Sequence, residues 1–290
     1  MQLRNLILLA GLPILGAGCD DKQTLKADSA VVQADAGAGR QDAQTSLGDA
    51  ARGDGSQGDA GPKIVKGPKG TFAGGEVATW AKVDGQGSIL EVGVTVAAAT
   101  LEGAAAEEAV FIEFAKDVQT KTFLNHLGFD FNPKGHGPPK VYDVPHFDFH
   151  FYGIDQATRE AIDCKAEKMP EQAAIPAPFI IPGVGPEPDG TCAPKMGVHA
   201  IDPTSPEMSR SNPKPFTLTR VLGYTAGKLA FLEPMVTQAY LKEHKDFKLT
   251  FPAAPGVTTA WPTTVSGTYD ATAKTWSFVL TDFVGAGTKK

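Results

Sequence analysis

The chain has 290 residues, a net charge of −6, and 42% hydrophobic but only 8% aromatic residues. That acidity, with no basic cluster and no interleaving of aromatic and basic residues, excludes nucleic acid and other anionic polymers as partners. No Gly-x-Ser-x-Gly elbow, phosphate-binding Gly-x-x-x-x-Gly-Lys-Ser/Thr loop, Gly-x-Gly-x-x-Gly after a strand or His-Glu-x-x-His is present, so serine hydrolase, nucleotide hydrolase and dehydrogenase readings have no support.

Residues 1–18 begin with Arg4, continue through the apolar runs Leu6–Leu9 and Leu12–Leu15, and end in Gly16-Ala17-Gly18 before Cys19. This pattern resembles a bacterial lipoprotein signal peptide, in which Cys19 becomes the lipidated first residue and holds the protein on a membrane. An ordinary secretory signal is the alternative. The apolar run falls short of the roughly 20 residues that a retained membrane helix needs. From Cys19 to Lys66 the chain consists largely of Asp, Ala, Gly, Gln and Ser, and the first aromatic residue is Phe72. A segment this poor in apolar surface reads as a disordered tether, spanning on the order of 40 Å as a random coil.

Residues 67–290 have the size of one domain. Strand patterns run through Glu76–Val83, Ile89–Ala97, Ala109–Phe114, Thr120–Phe131, Val141–Ile154, Phe216–Tyr224, Lys228–Pro234, Phe247–Phe251, Thr264–Tyr269 and Thr275–Thr281. Helix signals are few: Asp155–Lys168, with Asp155 as N-cap, and Pro234–His244, with Pro at its start. Many strands and few helices predict a mainly β fold, an antiparallel sandwich or barrel with small helical insertions. Setting Cys19 aside leaves Cys164 and Cys192, which in an oxidising compartment form a disulfide around the Pro-rich span Met169–Pro194; two buried thiols are the alternative.

Chemistry concentrates in His146-Phe147-Asp148-Phe149-His150-Phe151-Tyr152, where polar and aromatic residues alternate at the period of a strand. One face carries His146, Asp148, His150 and Tyr152, the other three Phe rings. His126, His136 and His199 lie elsewhere in the chain, and His244 stands among charged residues as a solvated helix end. Residues four apart on a strand are about 13 Å apart at Cα, whereas Zn–N bonds are only about 2.0–2.1 Å long. His146 and His150 therefore share one ion only across a bend, and one histidine with Asp148 is the easier pair. His199 and Glu233 are the best remote additions. Such a His/carboxylate set suits a divalent transition metal, Zn²⁺, Mn²⁺ or Fe²⁺. Two other readings stay open: a buried hydrogen-bond network with no ion, and a metal-free site in which His136, Tyr152 and Asp202 recognise a small polar molecule.

Gly135-His136-Gly137-Pro138-Pro139, Val141–Tyr152, Met196-Gly197-Val198-His199 and Phe231–Met235 together resemble a family of uncharacterised secreted or envelope bacterial proteins. That family is defined by a domain of unknown function whose namesake comes from a thermophile and belongs to an envelope-stress sigma-factor regulon. The resemblance covers roughly Gly74 to Phe283. It implies an exported β-rich domain able to form homo-oligomers, and no established activity. Ala200 stands where many relatives carry an aromatic residue, and the Cys164/Cys192 excursion is a local feature. The reading is thus a lipid-anchored envelope domain with a His/Asp site; the competing reading is a non-catalytic assembly protein.

Overall fold

A computed structural model describes residues 61–165, 167–182 and 192–285. The expected signal peptide, Cys19 and most of the expected tether lie outside the described residues. In chain order the elements are β1 (Lys63–Phe72), β2 (Gly75–Val83), β3 (Ile89–Ala97), α1 (Ala98–Gly103), β4 (Glu108–Glu113), α2 (Lys116–Lys121), β5 (His126–Asn132) and β6 (His146–Tyr152). They continue with α3 (Gln156–Glu160), β7 (Cys192–Ala193), β8 (Gly197–Ile201), β9 (Leu218–Thr225), β10 (Lys228–Thr237), α4 (Gln238–Lys242), β11 (Phe247–Thr250), β12 (Trp261–Asp270) and β13 (Thr275–Val284).

The strands form two antiparallel sheets, one of six strands in the order β1-β2-β3-β13-β12-β11 and one of seven in the order β4-β5-β6-β10-β9-β8-β7. The mainly β expectation holds, and the seven-stranded sheet curls into a half-barrel. The face that carries the Phe rings of β5 and β6 packs on the six-stranded sheet. Phe149 of β6 meets Phe278 of β13 at 4.2 Å between ring centroids, and Phe72 of β1 meets Phe129 of β5 at 4.5 Å. Each ring so buried contributes about 1.5–3 kcal/mol, which fixes the register of β6: a one-residue slip would send all three Phe side chains into the polar concave face.

Several boundaries differ from the sequence pattern. β1 begins at Lys63, inside the expected tether, and pairs with β2 along its length. Lys66-Gly67-Pro68-Lys69 hides this strand from the periodicity, and the register shifts there in a bulge. The run 120–131 is not one strand: α2 occupies its start, and β5 begins only at His126. The helix expected over 155–168 ends at Glu160; Asp155 is its N-cap, accepting from the Thr158 amide at 2.7 Å.

The helix expected from Pro234 is a correction as well. β10 runs on to Thr237, whose hydroxyl accepts from the Tyr240 amide and caps the short α4. Pro234 sits inside a central strand because the β6–β10 ladder has no pair at Glu233 and Pro234, between Leu232↔Phe151 and Met235↔Asp148. A residue without an N–H fits where no ladder bond is made. The interruption lies opposite His150.

Cys164 and Cys192 are joined in a disulfide. It ties the end of the α3 region to β7, the short edge strand on β8. Residues 183–191, the middle of the Pro-rich span, lie outside the described residues.

Candidate metal centre

All seven residues of β6 are buried, so the polar face is enclosed as fully as the aromatic one. It lines the concave side of the curled sheet. The neighbouring strand β5 repeats the alternation and sets Asn132 opposite His146, Asp130 opposite Asp148 and Gly128 opposite His150. The connection 133–145 folds back over this face. His136 donates its amide to the Tyr142 carbonyl, and Gly135 at φ +67° permits the approach, since a Cβ there would lie 2.0 Å from that same oxygen. Phe216 closes the other side, its ring edge-on to both His146 and Tyr142.

The expected single site divides into two groups, each with its potential ligand atoms within 4.8 Å of one another: His136, His146 and Asp148, and His150, His199 and Glu233. Spacing along β6 explains the division, because His146 and His150 are about 13 Å apart at Cα in an extended strand. Asp148 pairs with His146 as expected. His136, expected to contact a ligand, joins that pair, while His199 and Glu233 converge on His150.

In the first group Asp148 is the hub. Its Oδ2 accepts from Asn132 Nδ2 at 2.8 Å and lies 3.0 Å from His136 Nε2, and its Oδ1 lies 3.2 Å from His146 Nε2. This last contact lacks hydrogen-bond alignment, and both atoms are buried with no hydrogen-bond partner. The far nitrogens are engaged: His136 Nδ1 bonds the Gly137 carbonyl at 2.9 Å, and His146 Nδ1 bonds the Val144 carbonyl at 2.7 Å. A carbonyl oxygen only accepts, so each Nδ1 carries the hydrogen. In the neutral tautomer this assigns, both Nε2 atoms present lone pairs toward a carboxylate. Such contacts turn attractive only when a proton or a metal cation lies between nitrogen and oxygen.

The second group repeats the scheme across three strands. His150 Nε2 faces Glu233 Oε1 at 3.4 Å, and His150 Nδ1 faces Asp130 Oδ1 at 3.3 Å. His199 Nδ1 bonds the Gly197 carbonyl at 3.0 Å. His150 Nε2 and Glu233 Oε2 are buried without hydrogen-bond partners. Fixing one imidazole nitrogen on a carbonyl or carboxylate while the other faces an anionic cluster is the outer-shell arrangement of metal-ligating histidines.

The electrostatics follow from enclosure and charge. Burial opposes a charge on His136, but the Asp148 carboxylate outweighs it and raises the imidazole to about 9. Burial likewise opposes a charge on His150, and Glu233 with Asp130 lifts it to about 9. Burial raises Asp148, yet its bond to His136 and its close contact with His146 prevail and hold the carboxyl well below its usual range. Glu233 is pushed up to about 7 by burial, with Asp148 and Asp130 adding to the effect against His150. Asp130 is raised, first by burial.

Two expected ligand contacts are occupied otherwise. Asp202 takes bonds from Thr204 through Oδ1 and from the Arg220 guanidinium through Oδ2 at 2.9 and 2.7 Å. That pairing makes it a structural anchor for the 202–205 turn. Tyr152 stacks between His126 and His150, with centroid distances of 4.6 and 5.6 Å, and burial pushes its hydroxyl above its usual range. His244 is not simply solvated: it stacks on Tyr269 at 3.9 Å and meets Glu102 at 2.6 Å.

Asp130 and Asn132 belong to the centre and were not singled out in the sequence. Their signal was the period-two run Gly128-Phe129-Asp130-Phe131-Asn132, a shorter copy of the β6 pattern. Comparison with protein-family models, curated proteins and solved structures finds no match to this chain.

Proposed function

We propose that this protein is a lipid-anchored domain of the bacterial envelope whose curled sheet binds a divalent transition metal ion at the Asp148 centre. One observation carries the proposal: two imidazoles whose Nδ1 atoms are spent on carbonyls turn Nε2 toward one buried carboxylate, at 3.0 and 3.2 Å. His136 Nε2, His146 Nε2 and an Asp148 oxygen make a three-ligand set suited to Zn²⁺, Mn²⁺ or Fe²⁺. Asn132 orients the carboxylate, and the Gly137 and Val144 carbonyls orient the rings. His136 is 41% exposed, which leaves the centre an approach from solvent. A metal in such a position supplies Lewis-acid polarisation of a bound water or carbonyl oxygen. The lipoprotein-like residues 1–19, the disulfide and the family resemblance support the envelope address, since disulfides persist in oxidising compartments.

The assembly reading also has an observation behind it. The His136–Asp148 contact and the Asn132 bond form a connected polar network without any ion. Metal analysis by plasma mass spectrometry separates the two. The full chain, purified from envelopes without a histidine tag or nickel column, should carry a transition metal, with one equivalent fewer in His136→Ala. Metal-free protein that gains no thermal stability from added Zn²⁺, Mn²⁺ or Fe²⁺ would overturn the metal reading in favour of the network.

A further inference from the structure

We infer that His150, His199 and Glu233 form a second, separate metal site, an inner clamp that fastens β8 to β6 across the curl of the sheet. The three side chains come from β6, β8 and β10, and β9 lies between β10 and β8. A bond from His199 to an ion shared with His150 would therefore span the concave face between strands that do not pair. The curl makes this reach possible, and Gly223 clears its path. Gly223 stands opposite both His199 on β8 and Phe231 on β10. A Cβ there would lie 1.9 Å from the Phe231 ring, so the ring occupies the space of the missing side chain and sets its edge against His150 and His199, at 4.9 and 5.3 Å between centroids.

Three features argue for a cation rather than a network at this place. His150 and Glu233 are 3% and 2% exposed, and His150 Nε2, which faces Glu233 Oε1 at 3.4 Å, and Glu233 Oε2 are both buried without a hydrogen-bond partner. His150 Nδ1 backs onto Asp130 and His199 Nδ1 onto the Gly197 carbonyl, so both rings are oriented as metal ligands are. Asp130 is a positioning residue here: it faces the nitrogen of His150 turned away from the ion. The donor set again suits Zn²⁺, Mn²⁺ or Fe²⁺.

The two sites do not merge into a bridged pair. The ligand atoms that converge within 4.8 Å fall into two sets with no residue in common, Asp148 belonging to the outer one and His150 to the inner. The outer centre, with its exposed His136, is the exchangeable one. In the inner centre His150 and Glu233 are buried and His199 is half-buried, and its ligands come from three strands, so loss of an ion there would loosen the sheet.

This inference stands apart from the proposed Asp148 centre, and one experiment separates their fates. Chelator-treated full-length protein is titrated with Zn²⁺ by calorimetry, and thermal unfolding is followed at each stoichiometry. Two equivalents are expected for the wild type, one for His199→Ala and one for His136→Ala. The larger melting increment should belong to the equivalent that His199→Ala removes. One equivalent lost in His136→Ala and retained in His199→Ala would overturn the inner site and leave the outer. The reverse would keep the inner site and remove the proposed function. A wild type that binds a single equivalent which both variants lose, or a wild type that binds none, would sink the inner site. If His199→Ala does not fold, a Co²⁺ titration of the wild type decides: two spectrally distinct phases support the inference, and a single phase ending at one equivalent refutes it.

Discussion

His136 and Asp148 meet at the edge of the concave face with Nε2 3.0 Å from Oδ2, although the histidine side chain is 41% exposed and the aspartate only 2%. A solvent-reaching imidazole thus connects directly to a buried carboxylate that also holds His146 and Asn132. Replacing that carboxylate should expose the cost of the arrangement. Asp148→Asn keeps the volume but removes the charge that faces two imidazoles; breaking a fully buried ion pair on one side costs about 3–5 kcal/mol, and the 41% exposure of His136 screens this to about 2–3 kcal/mol. Urea unfolding of the metal-free variant should show a loss of that order, with the outer metal equivalent gone. A loss below about 1 kcal/mol would mean that Asp148 is not ionised between its histidines.

The buried charges also set a pH dependence for the metal-free protein. His136 and His150 are both raised to about 9. Each stabilises the fold fully below the unfolded histidine value of about 6.5, and that contribution is lost as pH rises through 9. Glu233, raised to about 7, acts in the same direction because the folded state holds its proton longer. Asp148 is lowered; its contribution is present above about 4 and is lost as pH falls below that. His126, pushed down to about 4 by burial and by Arg159, opposes the other histidines only between about 4 and 6.5. Stability of the chelated protein should therefore fall between pH 6.5 and 9, while metal affinity rises over the same interval as protons leave the ligands. Denaturant midpoints at pH 6.5, 7.5 and 8.5, with and without Zn²⁺, check both slopes. A flat or rising chelated curve contradicts the assignment.

Gly223 offers a test that touches no ligand. In Gly223→Ala the added methyl group must displace the Phe231 ring, whose nearest atom would lie at 1.9 Å. Overpacking of this kind costs about 1–3 kcal/mol. The displaced ring moves against His150 and His199, so Zn²⁺ binding should lose the inner equivalent and keep the outer. Paired unfolding and titration measurements on this variant read both effects.

What the sequence made legible was what period two encodes. The β6 alternation announces a polar face, and it identifies His146, Asp148 and His150 before any fold is known. Alternation cannot say that this face curls inward, because curvature is a property of seven strands together, and a polar face looks the same whether it meets water or the other side of its own sheet. For that reason the sequence does not show that His199 and Glu233 converge on His150 while His136 joins His146 and Asp148. Asp130 lies inside the expected strand 120–131 and Asn132 just past its end, and only the pairing of β5 with β6 sets them opposite Asp148 and His146. Pro234 misled for a related reason: proline at a helix start is common, but here it lies in the gap of the β6–β10 ladder, opposite Phe149 and next to Glu233 opposite His150. Asp202 reads from the sequence as a contact for a small polar molecule beside His136 and Tyr152, and only the arrival of Arg220 from β9 shows that its charge is already paired.

The disulfide links stability to the inner site. Cys164 and Cys192 are 28 residues apart in sequence, and closing a loop of about that length contributes roughly 3 kcal/mol on the chain-entropy model. Cys192 lies on β7, whose two residues pair with Val198 and Gly197, the latter supplying the carbonyl that holds His199 Nδ1. Cutting the bridge frees the edge strand that flanks this carbonyl. A Cys164→Ser/Cys192→Ser variant should lose about 3 kcal/mol in urea unfolding and bind the inner Zn²⁺ more weakly, with the outer equivalent unchanged because β10, β9 and β8 separate β6 from β7 in the sheet. Equal weakening of both equivalents would show that the bridge acts on the whole sheet. Unchanged stability would show that β7 and β8 hold their places without it.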